Sequence, residues 1–149
     1  MRRLAFTMLL LAFGSAYGAA RDVTLDELKA RFENAPPADR AELGIRVAQL
    51  QLRNADKLYR EGNSDQARAA VDDVVRYSEK ARDAATQTKK RLKNVEIDVR
   101  KIAEKLRDIK RTLVFEDQAP VDKAIQRLED VRTTLLKAMF ANDKKKDKK

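Results

Sequence analysis

The sequence predicts an all-α fold, built on one long central helix over about residues 65–115 with shorter antiparallel helices packed on each half as coiled-coil-like hairpins. Three observations predict it. Alternating steps of four and three residues from Ala67 land on Val71, Val74, Ser78, Ala81, Ala85, Thr88, Leu92, Val95, Val99, Ile102, Leu106, Ile109 and Leu113, and no charged residue interrupts the line. In a chain that is 38% charged, such a seam marks a helix packing along one edge. The second observation is that no Gly or Pro occurs from Asn63 to Ala119, so nothing forces a break. An unbroken helix there spans roughly 70–75 Å at 1.5 Å per residue. The third is composition: only 4 Gly, 3 Pro and 5% aromatic residues among 149, a balance that suits long helices.

The elements follow in order. Met1, Arg2 and Arg3 precede an apolar run from Leu4 to Phe13 and then the small residues Gly14 to Ala20. This is the pattern of a secretory signal peptide over residues 1–20, with cleavage expected after Gly18 or Ala20. The alternative is an uncleaved anchor, for which the apolar core is short against the roughly 20 residues a bilayer span requires. No cysteine is present, which removes disulfides, thiolate metal sites and a lipid-attachment site behind the signal. Residues 21–141 are expected to form one helical domain, and 142–149 a disordered lysine-rich tail.

Thr24 and Glu27 form a capping box, with Val23 and Leu28 as its hydrophobic staple, ahead of a short helix over 25–34. Pro36 and Pro37 end it. Asp39 with Glu42 is the cap signal of a second helix, to about Glu61. That helix carries two apolar stripes: Ala41, Ile45, Ala48, Leu52, Ala55 and Tyr59 in one, Leu43, Val47, Leu50 and Leu58 in the other. A face so wide touches more than one neighbour, either the short first helix or a second copy of the chain in addition to the long helix. Gly62 serves as the C-cap glycine and Ser64 as the next N-cap. So short a connection makes the two helices antiparallel neighbours. Phe115 to Ala119 reads as a turn, Pro120 as the first position of the last helix, and Ala124, Leu128, Val131, Leu135 and Ala138 as its seam. Arg132 falls inside this apolar arc, where its stem covers apolar surface and its guanidinium reaches the edge.

One alternative stays open. Thr86 to Asn94 is rich in Thr, Gln, Lys and Arg, and a bend there folds the two halves into a compact four-helix bundle; unbroken phase favours the straight form. Self-association is expected with it. A buried large aliphatic contributes about 1.5–3 kcal/mol, while ordering costs about 1.5 kcal/mol per residue, so a helix zipped along one seam barely breaks even. The long helix has few apolar residues off that seam, chiefly Val75, Tyr77, Ile97 and Ala103.

Catalytic chemistry is scarce. There is no histidine, which removes the usual general base and the His-dependent nucleophile and di-iron arrangements. Ser64 reads as a cap and Ser78 lies on the seam, and neither begins a Ser-x-x-Lys frame. No glycine-rich phosphate loop exists. Adjacent carboxylates such as Asp72 and Asp73, or Glu129 and Asp130, point apart on a helix and read as surface. No catalytic, metal or cofactor site, no cofactor and no small-molecule substrate are expected. The net charge of +9 is unevenly placed: residues 86–115 hold ten Lys or Arg against four Asp or Glu. Lys89, Lys90, Arg91, Lys93, Arg100, Lys101, Arg107, Lys110 and Arg111 are the candidate anion- or partner-binding residues. Nucleic acid is not the expected partner, given the export signal and the lack of aromatics among the basic residues.

Two resemblances are limited in extent. Leu58, Gly62, Ala67, Val71 and Val74 fall as in one tetratricopeptide hairpin, without a second copy, the signature aromatic or the terminal proline; this resembles the hairpin geometry rather than the family. In outline the chain is similar to the Spy-type helical periplasmic chaperones, whose Leu-Thr-x-x-Gln motif Val23, Thr24 and Glu27 echo once. No family residues carry over. The expected function is that of an exported, periplasmic or secreted, non-enzymatic binding or scaffold protein of the cell envelope. It would associate with itself and with an envelope protein or anionic envelope surface; the alternative is a periplasmic chaperone holding clients on a basic helical surface.

Overall fold

The computed structural model describes residues 23–146, with side chains to residue 142. The signal peptide expected over 1–20 and the last residues of the tail, 147–149, lie outside the described residues. Every element is helical: α1 (Leu25–Asn34), α2 (Pro37–Arg60), α3 (Ser64–Thr88), α4 (Leu92–Thr112) and α5 (Phe115–Lys146). Among the described residues there is no strand, and none of the helices is long and apolar enough to cross a membrane.

The caps explain the boundaries. Thr24 accepts from the Glu27 backbone N–H at 3.3 Å and Glu27 accepts from the Thr24 N–H at 3.4 Å, closing the capping box. α2 begins two residues before Asp39, at Pro37. Proline at the first helical position loses no hydrogen bond and arrives with its φ already helical, so the Asp39 cap is not used. Arg40 reaches back instead, donating to the carbonyls of Ala35 at 2.9 Å and Glu33 at 3.2 Å. At the end of α2 the Gly62 N–H bonds the Tyr59 carbonyl and the Asn63 N–H the Leu58 carbonyl, with Gly62 at φ 78°. This is a Schellman motif, in which a residue bearing Cβ would be strained. Asn63 then stands at the N-cap of α3, and Ser64 is already helical.

The expected single helix over 65–115 is two helices. Lys89 (φ 55°) and Arg91 (φ 60°) are both left-handed, and the chain reverses between Thr88 and Leu92. Neither residue is glycine, so each costs on the order of 1 kcal/mol. The seam could not reveal this break, because the same positions are buried whether the halves lie end to end or side by side. Closing the halves covers what one seam leaves open. α2, α3, α5 and α4 pack in a ring of successive neighbours, with α1 laid on α2. Of the off-seam apolar residues, Val75, Tyr77 and Ala103 are buried, while Ile97 stays half-exposed. The wide face of α2 is likewise occupied from within the chain, by α1, α3 and α4.

The two hairpins differ in texture. α2 meets α3 through small residues, Ala41, Gly44, Ala48 and Ala55 against Ala67, Ala70, Ser78 and Ala81, all buried. A Cβ on Gly44 would lie 3.0 Å from the Tyr77 carbonyl oxygen and 3.1 Å from the Ala81 Cβ, so the helices approach closely there because position 44 has no side chain. α1 closes this end: Phe32 packs edge-on against Tyr77 at 5.3 Å between centroids, with the Lys80 ammonium 5.1 Å from each ring. α4 and α5 use large residues, and Val99, Ile102, Leu106, Leu128, Val131 and Leu135 are all fully buried.

α5 departs from expectation at both ends. It starts at Phe115, so the expected turn over 115–119 is its first turn and Pro120 sits inside the helix. The cost of a proline there is one missing backbone bond near the helix start. Gln118 satisfies the Leu113 carbonyl at 3.0 Å, and Asp117 is drawn inward by partners on α3. At the other end helix continues to Lys146, past the expected domain limit at residue 141.

Candidate functional site

The structure divides the nine candidate cations by task. Arg91 pairs with Glu42 of α2 at 2.8 Å, Arg107 with Glu129 of α5 at 2.6 Å, and Lys110 with Asp122 of α5 at 2.6 Å. These side chains flank the packed face of α4 and act as staples between helices. Arg111 pairs within α4 to Asp108 at 3.1 Å. Lys89 and Lys90 in the α3–α4 turn, and Lys93, Arg100 and Lys101 on α4, are exposed and make no ion pair among the described residues. Positions 93, 100 and 101 fall on one arc of the helix, the first about two turns from the other two, with half-exposed Ile97 about one turn from each. Farther along, Glu104 and Asp108 enter the same arc. The unpaired positive surface is therefore concentrated on the turn and the first half of α4, with Lys105 the one further exposed cation of α4 in no ion pair among the described residues.

A second set of charged groups, the cross-braces that fix the helices, has no signature in the sequence. Among the described residues Asp117 is the most buried carboxylate, at 7% exposure. Its carboxylate accepts from the Ser64 hydroxyl at 2.7 Å and from the Arg68 guanidinium at 2.7 Å, tying the start of α5 to the start of α3. Ser64 is thus a tether, not a cap. The Ser64 hydrogen bond first, then Arg68, holds the Asp117 carboxyl below the usual carboxylate range. Beside it the Tyr59 hydroxyl and Arg68 Nε are buried without a hydrogen-bond partner among the described residues. Burial, then the charges of Asp117 and Asp72, push the Tyr59 hydroxyl up.

Two more braces complete the frame. Asp73 on α3 takes Lys29 of α1 and Gln51 of α2, each at 2.7 Å. Burial alone would raise its carboxyl, but the hydrogen bonds from Lys29 and Gln51 outweigh that and the net direction is down. On the α4–α5 side Arg132 binds Glu96 and Glu129, which also takes Arg107. Burial opposes the Arg132 charge, Glu96 and then Glu129 favour it, and its pKa ends raised. Glu96 faces Arg132 across the helix pair rather than serving Arg100 four residues on.

Chemically, this arrangement can hold helices together and attract anions. Among the described residues no cluster of His, Cys, Asp or Glu could hold a metal ion. The surface grooves are shallow in chemistry. One, of about 300 Å³ between α2 and α4, is lined by Glu42, Arg46, Gln49, Arg91 and Asp98 among others. Another, of about 450 Å³ between α3 and α5, is lined by Arg68, Asp72, Pro120, Lys123 and Arg127 among others. Their lysines, arginines and carboxylates come with no hydroxyl or thiol nucleophile. No protein-family model, curated protein or solved structure matches the chain.

Proposed function

We propose that this chain is an exported, non-enzymatic binding protein of the cell envelope that engages an acidic partner through the α3–α4 turn and the first half of α4. The observation that carries the proposal is the division of the cations. Arg91, Arg107 and Lys110 are consumed in staples, whereas Lys89, Lys90, Lys93, Arg100 and Lys101 point outward as a contiguous basic surface with Ile97 at its centre. A surface of one sign steers an oppositely charged partner and is screened by salt over about 8–10 Å at physiological strength. The basic, apolar and small-residue succession of residues 1–20 supports export. A photo-crosslinking amino acid at Ile97, introduced into living cells, tests the reading. A defined adduct that disappears in the K93E/R100E/K101E variant is expected; an adduct pattern unchanged by that variant overturns it.

A chaperone role is the second reading, favoured by a specific pair: Val114 and Phe115 at the α4–α5 corner are 63% and 83% exposed. Suppression of aggregation of several unrelated unfolded proteins, lost in V114S/F115S, would establish it in place of the adaptor.

A further inference from the structure

We infer that the α3–α4 turn is a hinge, and that two copies of this chain exchange their α4–α5 hairpins through it to form a domain-swapped dimer in which α3 and α4 fuse into one helix. The inference stands apart from the binding role above, and starts from a mismatch between the turn and the sequence that makes it. Ala81, Ala85, Thr88, Leu92, Val95 and Val99 keep the four-three spacing straight through the reversal. A reversal ordinarily interrupts such phase and supplies glycine where φ is positive. Here Lys89 and Arg91 take φ 55° and 60° with full side chains.

The helix start that follows is no better provided. Arg91 stands at the N-cap of α4 with no side-chain cap bond, and the first turn of α4 contains no acidic residue. Lys89, Lys90, Arg91 and Lys93 instead crowd the positive end of its dipole. A continuous helix from Ser64 to Thr112, about 73 Å long at 1.5 Å per residue, removes these features: it has no left-handed residue, no second helix start at Leu92, and no cations at its positive end, where Asp65 stands in the first turn.

What keeps the turn closed is packing between the two halves of the molecule. Arg68 with Asp117 at 2.7 Å, Arg127 with Glu79 at 2.8 Å and the ring contacts of α3 with α5 and α2 with α4 all cross from the α1–α3 half to the α4–α5 half. Each of these can be made just as well to the α4–α5 hairpin of a second copy, since a swapped interface repeats the original one. Only the turn differs between the two states. The dimer relieves it, and association entropy opposes the dimer, so the balance is set by concentration.

The test uses position 89 and the absence of cysteine from the chain. Glycine at 89 removes the left-handed strain, whereas a β-branched residue intensifies it while remaining tolerable in a helix. Each chain carries E79C/R127C, which places one thiol on α3 and one on α5 where the native side chains meet. Proteins are refolded from urea at millimolar concentration, sized by light scattering, and treated with a short bismaleimide. We expect the dimer dissociation constant of K89V to fall, and that of K89G to rise, by at least about tenfold relative to the unsubstituted hinge. Bismaleimide should give covalent dimers only from the dimer fraction. A K89V chain that remains monomeric, or dimers whose thiols join within one chain, overturns the inference. Should K89V fail to fold, the chain with Lys89 decides by the same crosslink: interchain products support the swap and exclusively intrachain products refute it.

Discussion

Arg132 on α5 grips Glu96 on α4 through two nitrogens, Nε at 3.0 Å and Nη2 at 2.9 Å, and its remaining terminal nitrogen Nη1 lies 2.8 Å from Glu129. Both partners of the cross-helix pair are largely covered, with side chains 23% and 12% exposed. Removing one member leaves the other's charge in a half-buried site, whereas removing both leaves room for apolar packing. Glu96→Ala should therefore lower stability by about 1–2 kcal/mol, while E96L/R132M should stay within about 1 kcal/mol of the parent. Urea denaturation of the three proteins checks this, and a double variant worse than the single would refute it.

Acid should loosen the bundle through its braces. The carboxyls of Asp73, Asp117 and Glu129 are all held below their ordinary values in the folded chain. A group with a depressed folded pKa adds stability that is present above its unfolded value, about 4 for Asp and Glu, and is lost as pH falls through the folded value. The denaturation midpoint should be nearly flat from about pH 7 to about pH 5 and drop below about pH 4. Asp117→Asn should be less stable at neutral pH and converge with the parent in acid. Parallel curves across the whole range would show that Asp117 is not one of the groups responsible.

The seam itself makes a sharper test. Leu106 is completely buried between α4 and α5, while Leu113, the last seam position, is half-buried at the corner. Leu106→Ala should cost about 3–4 kcal/mol and Leu113→Ala under about 1.5 kcal/mol, because only the first leaves a closed cavity. Equal losses in chemical denaturation would mean that the burial gradient along α4 is wrong.

These predictions also mark what could be read from the chain alone. Periodicity identified the seam from Val71 to Ile109, buried throughout except half-buried Thr88, because burial follows helix phase whatever the helices pack against. Thr24 with Glu27 and Gly62 fixed helix ends, since capping is local chemistry between residues a few positions apart. The reversal at Lys89–Arg91 was legible only as the less favoured alternative, a bend within Thr86–Asn94: unbroken phase argued for the straight form, the cause of the bend is the long-range closure of α5 on α3, and no glycine or proline announces it. The braces were not legible. Ser64 and Asp117 are 53 positions apart and Lys29 and Asp73 are 44 apart, so no spacing rule connects them. For the basic surface, sequence located the charge but could not sort it. Arg100 and Arg107, seven residues apart, share nearly one flank of α4, and only the second has an α5 carboxylate, Glu129, opposite it.

Gly44 offers a last prediction in which two effects oppose one another. In an isolated helix, alanine in place of glycine gains about 0.5–1 kcal/mol. At this position the added methyl would meet the Tyr77 carbonyl oxygen at 3.0 Å, the Ala81 Cβ at 3.1 Å and the Phe32 ring at 3.3 Å. The ring can turn slightly, but a backbone oxygen and a Cβ on a packed helix move only if α3 moves. The steric effect should win: Gly44→Ala is expected to destabilise by about 1–3 kcal/mol, the usual range for overpacking, and Gly44→Val by more. Trimming the obstacle at Ala81 should recover part of the loss, so A81G should be less harmful in the Gly44→Ala background than in the parent. Thermal and urea unfolding of this double-mutant cycle measure the coupling. Simple additivity would place the Gly44 methyl in open space and contradict the close approach of α2 to α3.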